Sequence, residues 1–574
     1  MSRRTGSAAE AAGPARPAGY WEHRRTAAHQ EYRAARDLLL RLRGEPAAAS
    51  AEFRWPRAES FNWALEWFDV IADGNPQPAL EVLGAPGPDG RVPVAEQVTF
   101  AELSMRSDTL AVELAELGVA RGDRVLLLLG TRAALWESLL GCLKLGAVVV
   151  PTYQDVTREE ALDRITRGRI RHLLCTGELA ELTDELPVPG MRVSTGGARP
   201  GWSAYPDTTT WRPYLPGRPT PSADPAFCYF TSGTTSLPKL VEHTHASYPV
   251  GHLSSLYWNG LRPGDRHLNL SAPGWAKHSW SSFFVPWAAE ATVLAPPDSG
   301  LPAPALPGVL ADHAVVSFCG PPSAWRSLLP HLGSAPGVRL REATAAGEPL
   351  TGEVNEKIAA AWGVRVRDGY GQTEATALIG RSPGGPEPLS PLGFPLPGYR
   401  VVLRDPVTGE LGDSGEVCLD LTERPVGLMA GYAEDRAKTA AAFADGLYRT
   451  GDSGERCADG SIRLLGRTDD VFKSFGHRVS PVEIEAVLRS HPAVADAVVL
   501  PRPDELGGLV PHAVVVPAPG TEEGAELREV LLARVAARLA PIFVPRGIDF
   551  TAELPRTRSG KVRRAELAGR LGLL

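Results

Sequence analysis

Residues 229–242 read YFTSGTTSLPKLVE: the end of an apolar run, then a run of hydroxyl and glycine residues, then a proline and a lysine. Closely spaced backbone N–H groups and hydroxyls form an anion cradle, and a lysine adds charge to it. The same composition also suits an ordinary surface loop, so the surroundings must decide. Between about residues 98 and 375, short apolar runs such as RVLLLL, AVVVP, RHLLCTG, AFCYF, ATVLAP and AVVSFCG alternate with helical stretches such as AALWESLLGCLKLG. That is the rhythm of βα units in largely parallel sheets with covering helices. Ligands of such sheets sit at the carboxyl ends of strands, and this loop follows AFCYF directly, which favours the phosphate reading.

Two familiar phosphate motifs are excluded. The loop GxxxxGK[ST] would need glycine where Pro238 precedes Lys239 and a hydroxyl where Leu240 follows. GYGQTE at 369–374 begins like GxGxxG but ends in Glu374, so a dinucleotide fingerprint fails as well.

At 574 residues the chain is too long for one core and predicts roughly two to four domains. A formal charge of −7, with only residues 1–45 locally basic, argues against nucleic acid as a partner. The six cysteines form no CxxC pair, so neither a disulfide framework nor a zinc site is suggested, and a reducing cytoplasm fits. The N-terminus lacks an apolar core of the signal-peptide type, and no apolar window approaches about 18 residues, so neither export nor a membrane span is expected. The first thirty residues read as a flexible arm. FNWALEWFDVIADGN then puts Phe61, Leu65 and Phe68 on one helical face and stops at Gly74. The division expected is an arm and the start of a helix over 1–50, a large domain over 51–468 and a small one over 469–574.

Further chemistry-bearing stretches recur downstream. GEPL at 347–350 and DGYGQTEAT at 368–376 each follow a plausible strand, and the second combines an aromatic face for a base, a hydroxyl for a phosphate and a carboxylate for a metal. Asp452 and Arg467, in GLYRTGDSGERCADGSIRLLGRTDD, form a spaced acid and base suited to a ribose diol. PRTRSGKVRRAEL at 555–567 puts Lys561 on a Gly/Ser turn. Taken singly, an Asp in a GD turn is usually a hairpin residue and a tail lysine is usually solvated.

Taken together, YFTSGTTSLPK, DGYGQTEAT, GLYRTGD, GRTDDVFKSFGHRVSPVEIE and PRTRSGKVRR resemble the AMP-forming acyl-CoA synthetases of the adenylate-forming superfamily, over about residues 60–570. FNWALEWFD, GWAKHSWSSFFVPW, CGPPSAWRSLL and RPVGLMAGYAEDRAKTAAAF look most like the medium-chain branch. The resemblance implies an α/β fold: a large N-terminal domain of mixed and parallel sheets with covering helices and a small β-subdomain, and a small mobile α+β C-terminal domain. It implies a carboxylic acid substrate, ATP, Mg²⁺ and coenzyme A. Thr231, Ser232, Gly233, Thr234, Thr235 and Lys239 would form the loop over the outgoing pyrophosphate, with Thr231, Glu374 and Lys561 catalytic. Glu374 would ligate Mg²⁺ and Thr373 would lie near the α-phosphate. Tyr370 would stack on adenine in a slot lined by Gly347, Glu348, Pro349, Asp368, Gly369 and Gly371. Asp452 would accept the ribose hydroxyls with Arg467 assisting, and Lys561 would bridge carboxylate and phosphate oxygens.

For thioester formation the resemblance implies a C-terminal domain that swings about Asp469, exchanging the lysine loop for a segment in which Gly476 lines the pantetheine tunnel. Glycine there lets a thiol arm pass close to the backbone. The stretch ELREVLLARVAARLA would place Leu527, Val530, Leu531, Val535 and Leu539 on one side of a helix. Two departures stand out: Ser236 and Leu240 occupy frequent glycine positions, and serine at a positive φ would cost about 1 kcal/mol. Trp275, His278, Ser282 and Leu378 are candidate acyl-pocket residues by position. The acyl group could pass to a carrier-protein thiol or an amine instead of coenzyme A, although no insertion separates Asp452 from Gly476, which favours coenzyme A. The oligomeric state, monomer or homodimer, is left open.

Overall fold

A computed structural model describes residues 16–573 except 232–237, 349, 351, 385–391, 476 and 558–561. Two large sheets carry the body. In the first, Val148–Pro151, Arg124–Leu128, His172–Cys175 and Arg192–Ser194 run parallel. Leu126, Leu127 and Leu128 are at most 1% exposed, as expected of strands covered on both faces. Helices between them start and stop on local signals. Thr99 with Glu102 and Thr157 with Glu160 form capping boxes for Phe100–Glu116 and Arg158–Arg167, and Gly146 ends Ala133–Leu145 in the left-handed region.

The strand Pro225–Thr231 joins this sheet in parallel beside Val148–Pro151 and then turns back on itself. Its partner Lys239–Thr244 is antiparallel, with Thr231 opposite Lys239 and Phe230 opposite Leu240. The strands that flank the hydroxyl-rich stretch therefore pair as a hairpin, so the stretch does not lead from a strand into a helix. Leu240, read as a lost glycine, is a core residue of the return strand, 5% exposed.

In the second sheet Arg266–Asn269, Ser317–Gly320, Glu342–Ala346 and Val366–Gly371 are parallel, and antiparallel strands close both edges. The two parallel strands Glu342–Ala346 and Val366–Gly371 end side by side, Ala346 opposite Gly369, so GEPL and GYGQTE emerge at one edge. A five-stranded antiparallel sheet follows, in which Leu447–Arg456 pairs with Ile462–Arg467 and Asp452 stands opposite Arg467.

Sheet membership changes between Arg467 and Phe472, with Asp469 in the exposed turn between them. Beyond it, Phe472–Ser474, Val494–Asp504, Gly508–Pro517 and Ile548–Phe550 form a sheet with its own core, including Ile484, Leu488, Val499, Leu531 and Val535. In the helix Ala525–Ala536, Leu531 and Val535 are buried, but Val530 is 44% exposed, because it lies about 100° around the helix from Leu531.

Two expectations near the N-terminus are corrected. From residue 16 the supposed arm is built into the body: Thr26 caps the helix Ala27–Arg41, and Tyr20, Tyr32 and Leu39 are each 1% exposed. Arg24 and Lys144 bind Asp69 and Asp108 in a tetrad whose four side chains are all 0% exposed. Four charges that cancel pairwise, with hydrogen bonds to Ser104 and Tyr20, make such burial tolerable. The segment FNWALEWFDV is a π-helical turn, Ala64–Phe68, followed by Asp69–Ile71, and Trp63, Leu65, Trp67 and Phe68 are buried around its whole circumference. Gly74 follows with φ of 65°.

Candidate active site

Glu374, on the turn after Val366–Gly371, faces the hairpin. Its Oε1 accepts the hydroxyl of Tyr432 at 3.0 Å and lies 3.8 Å from Nζ of Lys239. Thr231 stands opposite Lys239 at the mouth of the hydroxyl-rich loop. The Thr373 carbonyl accepts Nε2–H of His243 at 2.7 Å, while Nδ1 of that ring faces the Ser247 hydroxyl at 3.0 Å. Burial lowers the His243 pKa to about 4, so the ring is a neutral brace. Among the described residues no cluster of three or more His, Cys, Asp or Glu could hold a metal. A cation held at Glu374 would draw on this carboxylate, with phosphate oxygens and water able to complete its shell, a coordination that suits Mg²⁺.

The residues expected to line an adenine slot sit where backbone must approach closely. A Cβ on Gly369 would lie 2.3 Å from the indole of Trp258, and one on Gly371 would lie 2.3 Å from the Thr376 carbonyl oxygen. Glycine is therefore a steric demand at both positions. Gly347 adopts a φ of 104° beside the Lys277 ammonium, which donates to the Ala346 carbonyl. The Asp368 carboxyl accepts from the N–H of Gly369 at 3.0 Å and of Leu350 at 3.4 Å. Burial pushes its pKa up to about 7 against the opposing pull of those donors and of Lys277. Glu348 is half-buried, with Ser323 at 3.5 Å.

Asp452 is the hub of the other wall. Its Oδ2 accepts the Tyr370 hydroxyl and the Gln372 amide, each at 2.6 Å, and its Oδ1 faces Arg467 at 3.3 Å. Gln372 also donates to the Thr450 carbonyl at 2.9 Å and accepts the Tyr448 hydroxyl at 3.0 Å. Burial and the neighbouring Asp452 raise the Tyr370 pKa far above the ordinary tyrosine range, so its hydroxyl stays a donor.

Of the acyl-pocket candidates, Trp275 is half-buried and stacks on Tyr153, ring centroids 5.5 Å apart. His278 packs 5.5 Å from Trp136, and burial lowers its pKa to about 3. Ser282 accepts from the Asn269 amide at 3.0 Å and Leu378 is 0% exposed, so both are held within the core. Ser232, Gly233, Thr234, Thr235, Pro349, Gly476 and Lys561 lie outside the described residues, as does Ser236.

Among the predicted residues, Thr231, Lys239, Thr373, Glu374, Tyr370, Asp452 and Arg467 converge. Tyr432, Gln372, Tyr448, His243 and Lys277 belong to the same constellation and were missed. Only the flanking motifs AGYAEDRAKT, GYGQTE and GWAKH hinted at some of them.

Comparison with known proteins fits this geometry. A family model described as AMP-binding enzyme matches residues 85–433, and one described as AMP-binding enzyme C-terminal domain matches residues 483–561. The chain belongs to the AMP-binding enzyme family. The 4-hydroxybutyrate–CoA ligase 1 of Metallosphaera sedula is 36% identical over 482 residues, 83% of this chain and 85% of that protein. The mitochondrial acyl-coenzyme A synthetase ACSM3 of Mus musculus is 31% identical over 493 residues, 82% of this chain and 83% of that one. Among solved structures, the anthranilate CoA ligase AuaEII in complex with anthranoyl-AMP aligns with a TM-score of 0.77 at 26% identity, over 90% of this chain and 98% of its own. A benzoate CoA ligase from Burkholderia xenovorans LB400 aligns with a TM-score of 0.75 at 26% identity, over 88% and 99%. The α/β fold and the adenylate-forming family expected from the motifs both stand, and the relatives put the chain among the AMP-forming acid–thiol ligases.

Proposed function

We propose that this AMP-binding enzyme converts a medium-chain or aromatic carboxylic acid into its coenzyme A thioester by way of an acyl-adenylate. The observation that carries the reading is the convergence of Tyr370 and Glu374, Asp452 and Lys239 from three separate segments. The carboxylate oxygen attacks the α-phosphorus of ATP, pyrophosphate leaves, and the coenzyme A thiol then displaces AMP from the mixed anhydride.

In this scheme Tyr370 supplies a face for adenine, its plane fixed by the bond to Asp452, and Asp452 receives the ribose hydroxyls. Lys239, with Thr231 and the loop residues Ser232, Gly233, Thr234 and Thr235, neutralises the departing pyrophosphate. Mg²⁺ held at Glu374 would offset charge on the triphosphate. Two anions must meet in the first step, so fixed cations and N–H donors are where catalytic power resides. Lys561 adds its ammonium between carboxylate and phosphate during adenylation, and rotation about Asp469 then brings Gly476 to the thiol path.

The half-buried, stacked indole of Trp275 beside His278 supports a pocket for a medium-length or aromatic acyl group. None of the six cysteines is in a disulfide and five are buried, which supports a reducing compartment such as the cytoplasm. No helix among the described residues is long and apolar enough to cross a membrane.

The test is acid-dependent ATP–pyrophosphate exchange across a panel of carboxylic acids, repeated as coenzyme A consumption. Octanoate or benzoate analogues are expected to turn over in both assays. Turnover of acetate with neither of those active would contradict the substrate class. Exchange without coenzyme A consumption would point instead to a carrier-protein thiol or an amine as acceptor.

A further inference from the structure

The segment after the strand Ser414–Asp420 returns to pair with Lys239–Thr244 and contacts Glu374 twice. The Met429 N–H donates to the Glu374 carbonyl at 2.8 Å, and the Tyr432 hydroxyl donates to its Oε1 at 3.0 Å. Tyr432 is itself held rigidly. It lies in the short strand Gly431–Tyr432, paired with Val241, its N–H donates to the Thr439 hydroxyl at 2.9 Å, and it is 8% exposed. Lys239 Nζ approaches the same hydroxyl at 3.4 Å and sits 5.1 Å from the ring centroid. Among the described residues, the side-chain contacts of the carboxylate, from Tyr432 and Lys239, fall on Oε1.

We propose that Tyr432 is a positioning residue that occupies Oε1 of Glu374, leaves Oε2 as a one-oxygen ligand, and thereby selects Mg²⁺ over larger divalent cations. The proposal rests on the reading of Glu374 as the cation ligand. A small cation with near-octahedral geometry keeps several waters and needs only one oxygen from a carboxylate. Ca²⁺ takes six to eight oxygens and gains from bidentate carboxylate binding. With the hydroxyl in place, Oε1 gives a lone pair to it, which disfavours presenting both oxygens to one cation. Without it, Oε1 keeps only the 3.8 Å approach of Lys239, and discrimination against the larger ion should fall.

The experiment measures water-proton relaxation enhancement by Mn²⁺ in the ternary complex of the full chain with α,β-methylene-ATP, and titrates Mg²⁺ or Ca²⁺ as competitor. In the wild-type protein Mg²⁺ should displace Mn²⁺ at much lower concentration than Ca²⁺ does. Tyr432→Phe should reduce that Mg²⁺/Ca²⁺ ratio by about tenfold or more, the range seen when a partner of a metal ligand is removed. Glu374→Gln should abolish the enhancement. An unchanged ratio in Tyr432→Phe, with Glu374→Gln silent, overturns the role of Tyr432 alone. Full enhancement in Glu374→Gln overturns the ligand reading beneath it. A wild-type complex in which Ca²⁺ competes as well as Mg²⁺ overturns the proposal without any variant.

Discussion

Tyr370 and Asp452, 82 residues apart in the chain, share a hydrogen bond of 2.6 Å that joins the nine-stranded sheet containing Val366–Gly371 to the five-stranded antiparallel one. Gln372 and Arg467 converge on the same carboxylate, so three donors hold Asp452 in one orientation facing the cleft. An ionised carboxylate is acceptor-only and can receive both hydroxyls of a ribose, whereas an amide in its place offers one acceptor oxygen and two donors.

Asp452→Asn should therefore raise the KM for ATP by about 10–100-fold, the loss expected for a hydrogen bond to a charged group of about 1.5–3 kcal/mol. The KM for the acid should move much less. ATP–pyrophosphate exchange measured against ATP concentration checks this, and an unchanged KM for ATP would remove Asp452 from the nucleotide site.

The N-terminal segment makes a separate prediction about stability. Glu66 is 6% exposed, accepts the Asn62 N–H at 2.7 Å and the Thr26 hydroxyl, and burial raises its pKa to about 7. Its folded pKa thus exceeds the ordinary value of 4.5. The stability this group contributes is fully present below about pH 4.5 and is lost as pH rises through about 7. Glu66→Gln mimics the protonated form, so it should raise the thermal midpoint at pH 8 while leaving it little changed near pH 5. A midpoint that falls equally at both values would contradict the raised pKa.

The parts of the site that were legible in the sequence are those whose chemistry is written locally. Thr231, Lys239, Glu374, Tyr370 and Asp452 each lie in a motif where glycine, hydroxyl and charge occur side by side. Tyr432 is harder to find because its partner Glu374 is 58 residues away, and Lys277 because the carbonyl it binds is 69 residues on. An isolated tyrosine or lysine in an otherwise ordinary segment carries no local signal of such a contact. The buried N-terminus was missed for a related reason. Nothing in the local sequence links Arg24 and Lys144 to Asp69 and Asp108, and only the tertiary fold brings them together. The hairpin nature of the hydroxyl-rich loop was hidden because Leu240 and Val241 suit a buried strand in either direction.

If one site performs both half-reactions with different faces of the C-terminal domain, as proposed above, substitutions at Lys561 and Gly476 separate them. The decisive measurement compares Lys561→Ala and Gly476→Leu in two assays: acid-dependent ATP–pyrophosphate exchange, and conversion of a supplied acyl-AMP plus coenzyme A into acyl-CoA. Lys561→Ala should slow exchange by about 10²–10³-fold, the loss expected for one strong electrostatic contact in the transition state, and leave thioester formation near wild type. Gly476→Leu should spare exchange and block thioester formation, because a side chain there obstructs the thiol arm. Equal depression of both half-reactions by both substitutions would contradict the alternating-domain account.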